Sequence, residues 1–318
     1  MERPNLSRVG WWGHPEVGVN PPLGPRSRAR PTALAMAYPV LRRFFRAKGW
    51  ETLRTLPAIL VYQMAKVGSK SVVRSIRAAQ PGQPVFHIHT LTDQGIAAME
   101  KFYRWSRVPS LPGAGHLLVS RYLKEQLRQG VTPGRWKIIT LVRDPVARNI
   151  SLLFQLGPRL LPDIKERCNE GRLDPLAVFD QFVAAFPAQV DCMRWFRDEL
   201  QPVFGIDPFS TPFDREAGYQ VYHGSFADVL LIKTECLDRS GETAFRSFLG
   251  LERLCLRRAN IGAQKALGAQ YTDLLDKLML PRSFVDRYYN TPEVRHFYSP
   301  DELDRARLRW CGARGGSS

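Results

Sequence analysis

Two kinds of hydrophobic pattern alternate along the chain. Short apolar runs at 57–64, 136–142 and 228–233 are typical of strands buried on both faces, and 85–90 alternates as a further strand does. Between them, apolar residues recur every three or four positions, as on one face of a helix. This alternation predicts an α/β fold, a P-loop-like three-layer arrangement with a central parallel sheet flanked by helices. Predicted helices span 70–79, 92–105, 146–156, 175–186, 189–200, 243–249, 266–278 and 301–310, and another short strand is predicted at 117–119.

The N-terminal segment differs in composition from the rest of the chain. It is rich in Pro, Gly and Arg, and its acidic residues are Glu2 and Glu16. We therefore expect residues 1–48 to form a basic, largely disordered tail and residues 49–318 to form a single α/β domain. Within the tail, 38–48 (YPVLRRFFRAK) suits a short basic amphipathic helix, which either makes peripheral contact with a membrane surface or packs on the domain.

The net charge indicates anionic binding partners but does not identify their chemical class. The chain has 46 Lys and Arg against 30 Asp and Glu, a net charge of +16. Such a charge attracts nucleic acid, anionic polysaccharide, or small phosphorylated and sulfated molecules equally well. Only a sequence motif can distinguish among these classes of ligand. Five widely spaced cysteines argue against a disulfide framework or a metal site. The chain shows no apolar stretch long enough for a transmembrane helix and no secretory signal, and we expect a cytoplasmic protein.

The first candidate motif lies where the strand at 57–64 gives way to a helix. It reads Gln-Met-Ala-Lys-Val-Gly-Ser-Lys-Ser over 63–71. A helix N-terminus presents backbone N–H groups and the positive end of the helix dipole, both of which favour an anion. Gly68 lets the backbone approach a phosphate closely, and Lys66 and Lys70 add positive charge. The alternative is an ordinary strand-to-helix turn with solvated lysines.

The second candidate motif follows the buried strand at 136–142. Arg143 stands at the carboxyl end of that strand, and Ser151 lies eight residues further on, in the predicted helix. Ligands of open α/β sheets bind at the carboxyl ends of the strands, and a planar guanidinium suits a phosphate. Arg143 and Ser151 are therefore candidates for a second phosphate site. The alternative is a surface ion pair between Arg143 and Asp144.

A third feature is the sequence His87-Ile88-His89 at the end of the second predicted strand. The two imidazoles share one face, because side chains repeat every two residues along a strand. A metal site would need further ligands that the neighbouring sequence does not supply. A general base and a purely structural histidine pair are the other two interpretations.

Taken together, the two anion-binding motifs resemble those of the sulfotransferases that use 3′-phosphoadenosine 5′-phosphosulfate (PAPS). The resemblance covers about 57–310 and is closest to carbohydrate sulfotransferases and to bacterial capsular polysaccharide synthesis proteins. The family's Lys-Ser-Gly-Thr type of loop is matched by 66–69, and its Arg and Ser pair by Arg143 and Ser151. Lys70 departs from the pattern, since Thr or Ser is usual there.

The resemblance implies a sulfuryl transfer from PAPS to a hydroxyl of a glycan or glycolipid, with no metal and no specific nucleic acid. Lys66 would neutralise charge on the leaving oxygen, while Arg143 and Ser151 would hold the 3′-phosphate. Uronosyl 2-O-sulfotransferases carry a similar His-x-His, which implies a catalytic base at His89 or His87. We prefer His89, which is nearer the strand's carboxyl end. The residues implied to hold the 5′-phosphosulfate are Lys66, Val67, Gly68, Ser69, Lys70 and Ser71.

Some weaker expectations concern the C-terminal half. Asp198 and Glu199 are predicted on a solvated helix face, with an acceptor-side role as the alternative that the resemblance suggests. Asn260 and Lys265 are candidates for closing over the nucleotide.

Two rival functions remain at this point. In a P-loop kinase or NTPase, Lys70-Ser71 would end the motif GxxxxGK[ST], but Met64 and Ser69 would then occupy its glycine positions. A non-enzymatic polyanion-binding protein would need only the charge, and no recognisable nucleic-acid module appears. Dependence on Mg²⁺ would indicate the first rival, and salt-sensitive polyanion binding without nucleotide binding the second.

Overall fold

The computed structural model describes residues 58–79, 81–105, 111–130, 134–160, 166, 170, 175–185, 191–257 and 278–312. The predicted tail (1–48), most of the predicted helix at 266–278, and Asn260 and Lys265 lie outside these residues. The strands are β1 (Ile59–Tyr62), β2 (Val85–Ile88), β3 (Trp136–Val142), β4 (Tyr219–His223) and β5 (Ala227–Lys233). The α-helices are α1 (Ser69–Ala78), α2 (Asp93–Trp105), α3 (Leu111–Arg128), α4 (Pro145–Leu160), α5 (Pro175–Ala185), α6 (Gln201–Phe204), α7 (Glu242–Leu249), α8 (Arg282–Tyr289), α9 (Pro292–Phe297) and α10 (Pro300–Cys311). Single turns of 3₁₀-helix lie at Pro208–Ser210 and Thr234–Cys236, and π-helical turns at Phe196–Leu200 and Leu237–Gly241.

The described strands form one sheet in the order β2-β1-β3-β5-β4. Neighbours among β2, β1, β3 and β5 are parallel, which confirms the predicted α/β class. The predicted central parallel sheet is extended at one edge by β4, which runs antiparallel to β5. The predicted strand at 117–119 is also wrong, because these residues lie within the 18-residue helix α3. A short apolar run has no periodicity that distinguishes a strand from part of a buried helix.

Burial explains why the parallel strands form where they do. Every residue of β1 and β5 is buried, and in β3 only Lys137 is partly exposed. Strands covered by helices on both faces must be apolar on both faces, and this is the pattern of the three predominantly apolar runs at 57–64, 136–142 and 228–233. The helices complete the layers by turning an apolar stripe inward, as Val72, Val73 and Ile76 of α1 do.

The strand order places a topological switch point between β1 and β3. From β1 the chain passes to β2 on one side of it and then returns to β3 on the other. In open α/β sheets, the connections at such a point lead away in opposite directions, and ligands bind in the crevice between them at the carboxyl ends of the strands. The residues that follow these two strands are the two anion-binding motifs of the sequence.

No helix in the described ranges is both long and apolar enough to cross a membrane. The boundary predicted at residue 48 and the single domain at 49–318 stay predictions.

Candidate active site

The turn between β1 and α1 contains two residues with left-handed backbone conformation. Gly68 has φ +84° and is the residue from which α1 begins, and Lys66 has φ +73°. Gly68 adopts this conformation without steric cost, because it has no Cβ. For Lys66 it costs about 1–2 kcal/mol, so surrounding contacts must stabilise the turn.

Three consecutive carbonyls of this turn accept hydrogen bonds from distant side chains. The Nε of Arg148 donates to the carbonyl of Ala65 (3.1 Å), and the Nη1 of Arg143 donates to that of Lys66 (2.9 Å). Thr234 Oγ1 donates to the carbonyl of Val67 (2.9 Å). In a trans peptide the N–H points opposite to the C=O, so these bonds direct the next amides away from the three side chains. The three hydrogen bonds thereby hold the turn that precedes α1.

The N-terminus of α1 has the electrostatic character of an anion site. No side chain caps it, and its first turn contains no acidic residue. Lys70 is exposed and Lys66 half-buried, whereas Ser69 is only 7% exposed. Of the predicted 5′-phosphosulfate ligands, the structure thus brings two lysines and the first helical amides to one place, with the Ser69 side chain directed inward.

Arg143 and Asp144 do not form the ion pair that was the alternative interpretation of the second motif. Arg143 instead bridges from the end of β3 to the Lys66 carbonyl, across the switch point. Asp144 caps α4, since its Oδ1 accepts from the amides of Val146 (2.8 Å) and Ala147 (3.0 Å). Ser151 is half-buried in the second turn of α4, about 9 Å along the axis from Pro145 at 1.5 Å per residue.

A third histidine joins the two that the sequence indicated. The rings of His87 and His89 lie 4.9 Å apart between centroids, and the ring of His116 from α3 lies 5.1 Å from that of His89. The Nε2 of His116 is hydrogen bonded to the hydroxyl of Tyr103 in α2. Within the described ranges, no three His, Cys, Asp or Glu side chains are arranged to hold a metal ion.

Hydrogen bonds to Gln63 determine which nitrogen of each histidine carries a proton. The carbonyl of Gln63 can only accept, so His89 Nδ1, at 2.9 Å, is the protonated nitrogen and Nε2 keeps its lone pair. At His87 the ring Nε2 is 3.1 Å from Gln63 Nε2, and it accepts from that amide. The basic nitrogen of His89 is therefore not hydrogen bonded to Gln63, whereas the basic nitrogen of His87 accepts a hydrogen bond from the Gln63 side chain.

The surroundings keep all three imidazoles neutral. Burial is the main cause, and it lowers the pKa of His87 to about 2 and that of His116 to about 3. The pKa of His89 is also lowered, chiefly by burial and partly by nearby cations that include Lys66 and Lys70, although its bond to the Gln63 carbonyl opposes this. A neutral imidazole is the form that can accept a proton.

The segment from 191 to 200 holds His89 in position, contrary to the prediction of a solvated face. Trp195 Nε1 donates to the carbonyl of His89 (2.8 Å). Glu199 is fully buried, and its carboxylate accepts from the hydroxyl of Tyr62 (2.5 Å), both amides at 91 and 92 (2.7 and 3.1 Å) and Thr92 Oγ1 (2.8 Å). It thus connects the ends of β1 and β2. Burial raises the pKa of Glu199, although these hydrogen bonds oppose the rise. Asp198 is half-exposed.

Sequence reasoning assigned no role to several residues that shape the site. Arg148 lies inside the second motif, five residues after Arg143, and its basic side chain so near an anion motif was the available signal. His116 and Gln63 carried no signal beyond their residue types. Trp195 and Thr234 are distant in sequence from the residues they hold, and no local pattern connects them.

Comparison with known proteins places similarity in the second half of the chain. Residues 183–299, just over a third of the chain, match the family model described as "putative capsular polysaccharide synthesis protein". Neither a curated protein nor a solved structure shows significant similarity. The matched segment excludes both anion-binding motifs and the histidines. It includes Trp195, Glu199 and Thr234, which hold the histidine and loop segments of the site.

Proposed function

We propose that this protein is an enzyme of polysaccharide synthesis that transfers a sulfuryl group from PAPS to a hydroxyl of a glycan. The similarity of 183–299 to a capsular polysaccharide synthesis family supports the glycan part of the proposal. The transfer itself is inferred from the resemblance of the two candidate anion-binding motifs to those of PAPS-dependent sulfotransferases, and the geometry of the site supports it.

One observation carries the proposal, the hydrogen bond from Arg143 to the carbonyl of Lys66 across the switch point. It joins the two predicted anion motifs, which are 77 residues apart in sequence, into one site beside an uncapped helix N-terminus. Nearby cations, a helix N-terminus without a side-chain cap and a first turn without an acidic residue fit a ligand with two anionic groups. The donor set therefore fits PAPS, which supplies the sulfuryl group and a phosphate that leaves with the electrons of the broken S–O bond.

In this proposal the residues act by position and charge. Lys66 places its ammonium where negative charge grows on the leaving oxygen, and the amides at the start of α1 hold the 5′-phosphate. Remaining donors of the Arg143 guanidinium, together with Ser151, bind the 3′-phosphate. His89 Nε2 takes the proton of the acceptor hydroxyl as its oxygen bonds to sulfur. We choose His89 over His87 because Gln63 leaves its basic nitrogen unengaged.

Calorimetric titration with 3′-phosphoadenosine 5′-phosphate tests this proposal. We expect binding that requires the 3′-phosphate, with adenosine 5′-phosphate at least tenfold weaker, and loss of affinity in Arg143→Ala. Arg135→Ala is the matched control, because its side chain bonds Asp228 near the amino end of β5, at the opposite end of the strands from the candidate site. Preference for ATP with Mg²⁺ would instead indicate a kinase or NTPase. Absence of any nucleotide binding would leave a polyanion-binding protein.

A further inference from the structure

A cavity of about 460 Å³ opens beside the edge strand of the sheet. Its lining comes from the turn Pro208–Ser210, the residues that follow it before β4, and the end of α9. The lining residues are Phe209, Ser210, Thr211, Pro212, Phe213, Arg215 and His296, and we call this cavity the Phe209 pocket. All of them fall within the segment that matches the capsular polysaccharide family.

The lining combines aromatic rings with polar groups. The ring of His296 lies 5.3 Å from that of Phe209 and 6.4 Å from that of Phe213, so the three form a continuous aromatic wall. Ser210 and Thr211 are exposed and offer hydroxyls. Arg215 contributes the only charge among the lining residues, and its guanidinium is oriented by bonds to the carbonyls of 295 and 296.

The aromatic wall is tied to the segment that holds His89. The ring of Phe209 lies 5.7 Å from that of Phe196, which in turn lies 5.5 Å from that of Trp195. Trp195 is the residue whose indole donates to the His89 carbonyl. The pocket and the proposed base therefore both contact the segment from 191 to 200.

The polar side of the pocket is hydrogen bonded to a residue at the carboxyl ends of the strands, where the candidate site lies. The carbonyl of Arg215 accepts from the ammonium of Lys233 (3.2 Å), at the carboxyl end of β5. Lys233 is in register with Val142, the residue before Arg143. Since β5 is one strand from β3 and two strands from β1, Lys233 is displaced laterally from the ends of these strands by about 5 and 10 Å at the usual strand spacing.

We propose that the Phe209 pocket binds a sugar unit of the acceptor, a negatively charged glycan chain, at a distance from the hydroxyl that reacts. A pyranose ring has an apolar C–H face that packs on aromatic rings and a rim of hydroxyls that need polar partners. The pocket provides aromatic rings for the apolar face and polar groups for the hydroxyls. Its lining contains the cationic Arg215 and no carboxylate, which favours an acidic sugar. The separation from the anion site requires an oligomeric acceptor. This inference rests on the proposed function for the identity of the acceptor.

Binding of two hexasaccharides of equal length tests the inference. The probes are a hyaluronan hexasaccharide, which carries carboxylates, and neutral maltohexaose, each titrated calorimetrically into the full chain. We expect the acidic probe to bind more tightly, and Phe209→Ala to weaken it about tenfold. Phe209 contacts core rings, so Thr211→Trp provides a second variant that fills the exposed pocket without removing a core side chain. Phe226→Ala removes an exposed ring outside the pocket and should leave binding unchanged.

Each outcome distinguishes this inference from the proposed function. Loss of hexasaccharide binding in both pocket variants, with 3′-phosphoadenosine 5′-phosphate affinity unchanged, would support the subsite. If the acidic hexasaccharide bound equally to the wild type and to Thr211→Trp, or if neither hexasaccharide bound, the subsite would be overturned and the proposed nucleotide site would be unaffected. Weaker nucleotide binding in Thr211→Trp would also overturn it, because the pocket would then serve the nucleotide. Hexasaccharide binding through the pocket without nucleotide binding would refute sulfuryl transfer and retain the subsite.

Discussion

The left-handed conformation of Lys66 predicts an unusual response to substitution. A non-glycine residue at φ +73° carries about 1–2 kcal/mol of steric strain, which glycine does not. Glycine also raises the entropy of the unfolded chain, at a cost of about 0.4–1 kcal/mol. The balance makes Lys66→Gly more stable than Lys66→Ala by about 0.5–1 kcal/mol. Comparing these two variants with each other removes the Lys side chain from both and isolates the backbone.

Equilibrium urea unfolding measures this difference, and Arg74 provides the control. Arg74 is exposed in the middle of α1, where glycine is less favourable than alanine by about 1 kcal/mol, so the Gly–Ala difference should have the opposite sign there. Both Lys66 variants should lose sulfuryl transfer, because the charge is absent from each. If Lys66→Gly were equal to or less stable than Lys66→Ala, the strained turn and the reasoning built on it would be refuted.

The remaining predictions concern the residues around the loop. Arg143→Lys retains the charge but loses the planar fork, and we expect titration of 3′-phosphoadenosine 5′-phosphate to show at least tenfold weaker binding; unchanged affinity would contradict the bridging role. His89→Asn should lower kcat by a factor of about 10²–10⁴ with nucleotide affinity within about twofold of wild type. Because the pKa of His89 is lowered by burial, the wild-type kcat/KM should fall less from pH 7 to 6 than it would with an unperturbed histidine as the base. Trp195→Phe removes the donor to the His89 carbonyl and keeps an aromatic ring. We expect kcat to fall several-fold and the free energy of unfolding to fall by about 1 kcal/mol. An unaltered kcat would mean that this hydrogen bond does not position the base. The pKa of His116 is depressed in the folded state, so unfolding takes up a proton at this residue below about pH 6.5, and the protein loses stability as the pH falls. Unfolding of His116→Phe should therefore take up about one proton fewer at pH 5, as measured from the pH dependence of the free energy of unfolding. An unchanged slope would contradict the burial of this imidazole.

The predictions that succeeded rest on local regularities. Trp136–Val142 is apolar except at Lys137 and Thr140, and burial on both faces of a parallel sheet requires such a predominantly apolar run. In contrast, β4 has mixed polarity because it is an edge strand, half-buried along most of its length, and its sequence offers no comparable signal. The run at 117–119 is short enough to suit either a strand or the buried face of α3, and only its neighbours in space decide.

The sequence by itself determined the α/β class, the positions of the two candidate anion motifs and the placing of His87 and His89 on one face of a strand. Connections that follow parallel strands emerge at one edge of the sheet, so these residues were bound to face the same side. Only the tertiary structure decided which groups meet there. Thr234 reaches the loop from 167 residues away, and Glu199 becomes a buried anchor because donors from β1 and the end of β2 converge on it. Periodicity reports the environment of a residue along its own element, whereas hydrogen-bond partners depend on how elements pack, which no local pattern contains.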